Sequence, residues 1–210
     1  GARAMGLCKI AQGQSWGVVS AQYITADGQP LKNYDFDQIG WGILPAFGPN
    51  VKPQEGGKVL ALSSGTARQP NDPGYDTVGG HDKGYTTGSP PGYPKESPSC
   101  PSVVTGEPHD SAGLRVVIKT PTNATSLSFN LDFYTYEFPN YICSEFNDFF
   151  VALLTPKPAN QQDGNISYDS KGNTISVNAG FLQVCHPQVA SNGANFDCLL
   201  GPDQIGGTGF

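Results

Sequence analysis

The stretch LSFNLDF, residues 127–133, sets Leu127, Phe129, Leu131 and Phe133 on one parity and Ser128, Asn130 and Asp132 on the other, with Tyr134 continuing the second. Successive side chains of a strand point to opposite faces, so this period of two predicts a half-buried strand, continued by the following residues to Phe138. Long regular helices have little place beside it, because Gly (27) and Pro (18) exceed a fifth of the 210 residues and supply turns throughout.

Other short apolar runs bounded by turn residues extend the pattern. Strands are predicted at 18–25, closed by Asp27-Gly28, and at 59–62, followed by small residues that allow close backbone approach. Further strands are predicted at 114–120, 148–155 and 181–185, with a hairpin across 164–180 that turns at Asp169–Asn173. The predicted fold is all-β: a jelly-roll-like β-sandwich forming one domain over residues 1–210. Ala4, Met5, Leu7, Ile10 and Ala11 predict one short N-terminal helix that stops at Gly13.

Residues 68–109 differ in kind, being rich in Pro, Gly, Asp, Ser and Tyr and almost free of aliphatic side chains. A long irregular stretch of this sort is either a binding loop or a flexible one. Tyr75, Tyr85 and Tyr93 offer stacking rings, and Asp76, His81 and Asp82 polar contacts, so these six are the candidate ligand-binding residues. The plainer alternative is that the tyrosines pack the loop onto the sheets.

The formal charge of −6, with no Lys/Arg cluster, excludes the basic face that nucleic-acid binding requires. It leaves neutral ligands and divalent cations. No apolar run is long enough to span a bilayer, and residues 1–12 carry no signal-peptide core.

Five cysteines, Cys8, Cys100, Cys143, Cys185 and Cys198, form no CxxC pair, which favours disulfides over zinc. Cys185 and Cys198 bracket a polar loop whose crosslinking is worth roughly 3 kcal/mol. Cys100 is the expected staple of the long stretch, and Cys143 can anchor the turn after Pro139-Asn140. The odd number leaves Cys8 free or paired outside the chain, and the set points to an oxidising compartment.

Unbroken alternation beyond Phe133 carries Glu137 to the inward parity, while Asn147 and Asp148 open the returning strand. A buried carboxylate must be protonated, paired, hydrogen-bonded or bound to a cation. Glu137, Asn147 and Asp148 meeting at one end of the sheet would suit Ca²⁺, which prefers carboxylate and amide oxygens. Turn hydrogen bonds for Asn147 and Asp148, with Glu137 paired to Arg115 or a lysine, are the alternative.

The block SFNLDFYTYEFPNYICSEFNDFFVALL, preceded by VLALSSGTAR and followed by NISYDSKGNTISVN, resembles the choice-of-anchor L family of bacterial secreted and surface domains over nearly the whole chain. Glu137 matches the glutamate ahead of the family's proline, and Phe146, Asn147 and Asp148 match its Phe-Asn-Asp. Tyr136 departs from an acidic family position, which lowers the charge available to a cation. The resemblance implies export and a role at a bacterial cell surface, not a reaction. Further C-terminal strands in similar members imply that a second polypeptide can complete the C-terminal sheet edge.

Three function classes follow. The first is a non-catalytic binding or adhesion domain for a glycan or protein, stabilised by Ca²⁺. The second is a structural component of a surface or matrix assembly. The third is a carbohydrate-active hydrolase in which Glu137 pairs with Glu145 or Asp148. Nucleophilic catalysis finds little support, since Cys185-His186 are adjacent in sequence and ALSSGTA lacks the Gly-x-Ser-x-Gly elbow.

Overall fold

The computed structural model describes residues 1–31, 39–76, 82–179, 189, 193 and 205–208. His81, Cys185 and Cys198, and the strand expected at 181–185, lie outside the described residues. The chain gathers into two compact units, Gly1–Gly88 with Pro108–Leu131 and Gln204–Gly209, and Ser89–Glu107 with Asp132–Asp203 and Phe210.

The architecture is β-rich, with no helix among the described residues. In the first unit, β1 (Gly17–Ile24) pairs antiparallel with β4 (Gly113–Lys119), and β2 (Trp41–Leu44) pairs with β3 (Val59–Leu62). In the second, β5 (Phe149–Phe150) pairs with β6 (Ile175–Ser176). These are small, open sheets of two strands each among the described residues.

The β1–β4 register sets Val18 opposite Ile118, Ala21 opposite Val116 and Tyr23 opposite Leu114, which makes one apolar face. Ser20, Gln22 and Arg115 fall on the other face, so this pair has the alternation of a half-solvated sheet. The turn after β1 forms where expected: Thr25 N–H donates to Gln29 O (2.9 Å) and Gly28 N–H to Thr25 O (2.9 Å). Asp27 Oδ1 accepts from Gln29 N–H at 3.2 Å.

The small residues after β3 do bring backbones together. Ala67 N–H donates to Ile39 O at 2.7 Å, and a Cβ on Gly42 would lie 2.0 Å from Ala67 O. No side chain fits at Gly42 without moving the Ala67 backbone. Nearby, Tyr23 stacks on Trp41 with ring centroids 4.0 Å apart, and Arg68 donates to Trp41 O.

Two expectations fail. The N-terminal helix is replaced by a knot of turns, with Gly6 N–H on Arg3 O (3.1 Å) and Leu7 N–H on Ala2 O (3.0 Å). Gly6 sits at φ +82°, which ends any helical run, and a segment this short does not recover the cost of nucleation. Ala2 and Ala4 are buried while Met5 and Ile10 are exposed, so burial does not follow one helical face. Lys9–Ala11 instead flanks β1 through an Ile10–Val18 parallel bridge.

The second failure is the strand at 127–138. Residues 125–135 belong to no strand, and Leu127, Phe129 and Leu131, expected inward, are exposed. Period two describes which residues could share a face; a neighbouring strand is needed to create the face, and none of the described residues pairs here.

In its described parts the long stretch is tied by hydrogen bonds to the segment that follows it. Asp110 carboxylate oxygens accept from Lys83 N–H (2.8 Å) and Tyr85 N–H (3.1 Å), and Thr86 bridges His109. Residues 82–87 are thereby laced to 108–111 within the first unit, whereas Ser89–Glu107 belongs to the second. The second unit has its core at Val177 and Ile142, with Phe133, Phe138 and Cys143 packed against them.

Candidate polar cleft and carboxylate pair

Two places in the second unit carry candidate chemistry. The first grows from the hairpin around β6. Leu153 bridges Asn165 and Tyr168 bridges Thr174, and the Asp169–Asn173 turn is closed by Asp169 N–H on Asn173 O at 2.9 Å. Asp169 Oδ1 then accepts from Lys171 and Asn173 N–H, both at 2.8 Å. The hairpin was legible because Asp and Gly at these positions satisfy the turn backbone locally.

Asn165 is the internal brace. Its Oδ1 accepts from Ala152 N–H and Ser167 N–H, both at 3.0 Å, and its Nδ2 donates to Ser167 O at 2.7 Å. Asp163, two residues earlier, holds Asn165 N–H at 3.0 Å through one oxygen. Its other oxygen accepts from Tyr93 Oη–H at 2.9 Å and pairs with the Lys95 ammonium. Lys95, then the Asn165 amide, hold the Asp163 carboxyl well below the usual range. Burial, then the Asp163 carboxylate, push the Tyr93 hydroxyl up to about 12, so it stays a donor at any ordinary pH.

This tie fastens the 91–95 loop against the hairpin and leaves a cleft of about 550 Å³. Lys95, Lys157, Gln161, Gln162, Asp163 and Tyr168 line it, over a Pro91-Gly92 turn. Tyr168 is 45% exposed, so its ring is open to a ligand. Lys157 Nζ spends one donor on Gln162 O at 3.0 Å and has two left by valence. A smaller cleft of about 110 Å³ shares Lys95, Gly172 and Thr174 and adds Glu96 and Ser97. None of the lining residues was picked out from sequence, because they come from loops about 70 positions apart that only the fold joins.

The described candidate loop residues fall in both units. Tyr75 and Asp76 are exposed in the first unit, where Asp82 Oδ1 accepts from Gly84 N–H at 2.6 Å. Tyr85 donates its hydroxyl to Ser111 O at 2.5 Å, and Lys83 Nζ lies 5.8 Å from its ring centroid. Tyr93 belongs to the second unit, is 8% exposed and stacks on Phe149. For Tyr85 and Tyr93, then, the packing alternative describes the side chain.

The second place is Glu137, Asn147 and Asp148. Burial, then the charge of Asp148, push the Glu137 carboxyl up, which puts these two carboxylates in electrostatic contact. Asn147 points into the core instead. Its Oδ1 accepts from Asn178 N–H (3.0 Å), and its Nδ2 donates to Thr105 Oγ1 (3.1 Å). Thr105 Oγ1–H donates in turn to Glu96 at 3.0 Å, and Asn178 Oδ1 accepts from Cys143 N–H at 2.7 Å. Asn147 thus ties together three separate stretches of the second unit. No group of three His, Cys, Asp and Glu side chains able to hold a metal occurs among the described residues. The fit to Ca²⁺ is therefore partial: two carboxylates, with the remaining oxygens to come from backbone or water.

Glu137 is half-buried and gains nothing from ionising beside Asp148. Its raised pKa means that the folded state holds the proton more tightly than the unfolded chain, so stability is highest below the unfolded value near 4.3 and falls as pH rises through the folded one. Glu137→Gln is expected to raise stability at pH 7 by up to about 0.5 kcal/mol, a figure limited by solvent screening, and to change nothing in acid. Paired thermal melts at the two pH values check this; equal shifts at both would remove the carboxylate repulsion.

Cys100 and Cys143 form a disulfide, with Cα atoms 5.1 Å apart, and Cys8 is free and exposed. Among the described residues no helix is long and apolar enough to cross a membrane. Fold and site together define a disulfide-bonded, β-rich protein with an open polar cleft. No family model, curated protein or solved structure matches the chain.

Proposed function

We propose that the chain is a non-catalytic binding domain, exported to a bacterial cell surface or secreted, that takes a glycan in the cleft between the 91–95 loop and the 157–174 hairpin. The cleft lining carries this reading: an open tyrosine ring beside planar amides, a carboxylate and ammonium groups suits a ligand dense in hydroxyls. The Cys100–Cys143 disulfide supports an oxidising setting, and the resemblance to choice-of-anchor L domains supports the surface role and a jelly-roll-like sandwich. Glu137 and Asp148 are not among the residues lining either cleft, which favours binding over hydrolysis by that pair.

Ca²⁺ enters as a stabiliser at Glu137 and Asp148, where a cation would cancel their repulsion. A chelator is then expected to lower the melting temperature and Ca²⁺ to restore it; an unmoved melt in both removes the ion.

A glycan array with the wild-type chain and Tyr168→Ala tests the cleft. Loss of the aromatic platform is expected to weaken binding at least tenfold, or about 1.4 kcal/mol, without changing the melt. Wild-type binding that Tyr168→Ala leaves intact would move the ligand elsewhere, and an empty array would favour the structural role.

A further inference from the structure

Two unfilled features of the first unit complement each other. The edge of β4 away from β1 accepts no strand among the described residues. On its apolar face Leu114, Val116 and Ile118 remain only half-buried. Meanwhile residues 126–131 make no backbone hydrogen bond to any described residue, and Leu127, Phe129 and Leu131 are 54%, 43% and 38% exposed. One feature is an edge with no strand; the other is a strand pattern with no edge.

Among the described residues of a single molecule both stay unfilled. Asn130 Nδ2 donates to Gln54 Oε1 at 2.5 Å, and the segment does not pair with its own β4. Two molecules can satisfy both at once, by exchange about a two-fold axis.

We propose that two copies of the chain associate reciprocally, residues 126–131 of each adding as an antiparallel third strand to the β4 edge of the other. Pairing Leu127 with Ile118 brings Phe129 against Val116 and Leu131 against Leu114, which extends the apolar face of the β1–β4 sheet. Ser128 then falls beside Val117, and Asn130 beside Arg115, on the polar face. No like charges oppose each other in this register, whose only charged edge residues, Arg115 and Lys119, face Asn130 and Ser126. Backbone hydrogen bonds supply affinity and the alternating apolar side chains supply register, as in strand addition generally. The contact is isologous and closes at two copies.

Sedimentation over a dilution series, with hydrogen exchange on the same samples, tests the exchange. The wild type is expected to dimerise with mass action and to protect amides in both 113–119 and 126–131. Ser128→Pro removes a strand N–H and Phe129→Lys charges the apolar face; each is expected to raise the dimer dissociation constant at least tenfold. Both residues are exposed, and an unchanged melt and an intact Cys100–Cys143 bond will show that each variant folds. Val19→Lys, on an exposed residue of β1, is expected to leave the dimer intact. A monomer at every concentration overturns the proposal, including one in which 126–131 is protected by its own β4. So does a dimer indifferent to both variants, or one broken by Val19→Lys.

Discussion

Replacing Cys100 and Cys143 together by serine is expected to cost about 4 kcal/mol, the largest single effect in the second unit. The bond spans a sequence separation of 43, and opening a loop of that length returns to the unfolded chain the conformational entropy the crosslink had removed. Cys100 is 3% exposed and Cys143 packs against Ile142 and Val177, so serine hydroxyls would add a burial cost in the same direction. Urea unfolding with and without reductant checks the origin of the loss. Reductant is expected to bring the wild-type midpoint near that of the double variant under the same reductant, so that the difference between the two closes. A wild-type midpoint insensitive to full reduction would remove the crosslink as a source of stability.

Asn178→Ala is expected to cost about 2–4 kcal/mol. The side chain accepts from Cys143 N–H and donates to Ser144 O at 3.1 Å, and Asn178 itself is 3% exposed. Alanine removes the partner of that amide and that carbonyl in a part-buried place. Asn147→Ala is expected to cost a similar amount, because it unpairs Asn178 N–H and Thr105 Oγ1. The two losses are not additive, since both residues belong to one network. Both are expected to be the same in chelator and in Ca²⁺. A loss at Asn147 seen only with Ca²⁺ present would return that residue to a metal site.

Local signals in the sequence were read well where the satisfying partners are also local. Val59–Leu62 is a strand with the bounds expected of it, 114–120 differs from β4 by one residue at each end, and the turns at Asp27-Gly28 and Asp169–Asn173 form as their residue types require. Glu137 is half-buried and its carboxyl is raised by burial and by the charge of Asp148, but no strand alternation puts it there, since residues 125–135 belong to no strand. Parity could not foresee that Asn147, one residue from Asp148, turns into the core, because its partners Thr105 and Asn178 lie 42 and 31 positions off. The cleft was invisible for the same reason, with Tyr93 and Lys95 meeting Asp163 only after folding.

The sequence by itself determined a β-rich chain of short strands and frequent turns, with a net charge of −6 and five cysteines. Gly, Pro and alternation act over a few residues, and charge and cysteine content act without regard to order. The tertiary structure alone decided that Cys100 pairs with Cys143, that Tyr93 is buried and stacked on Phe149, and that Leu127, Phe129 and Leu131 are left exposed. Each of these depends on which distant segment arrives beside a residue. A parity pattern states what a strand can bury, and only a neighbour determines whether it does.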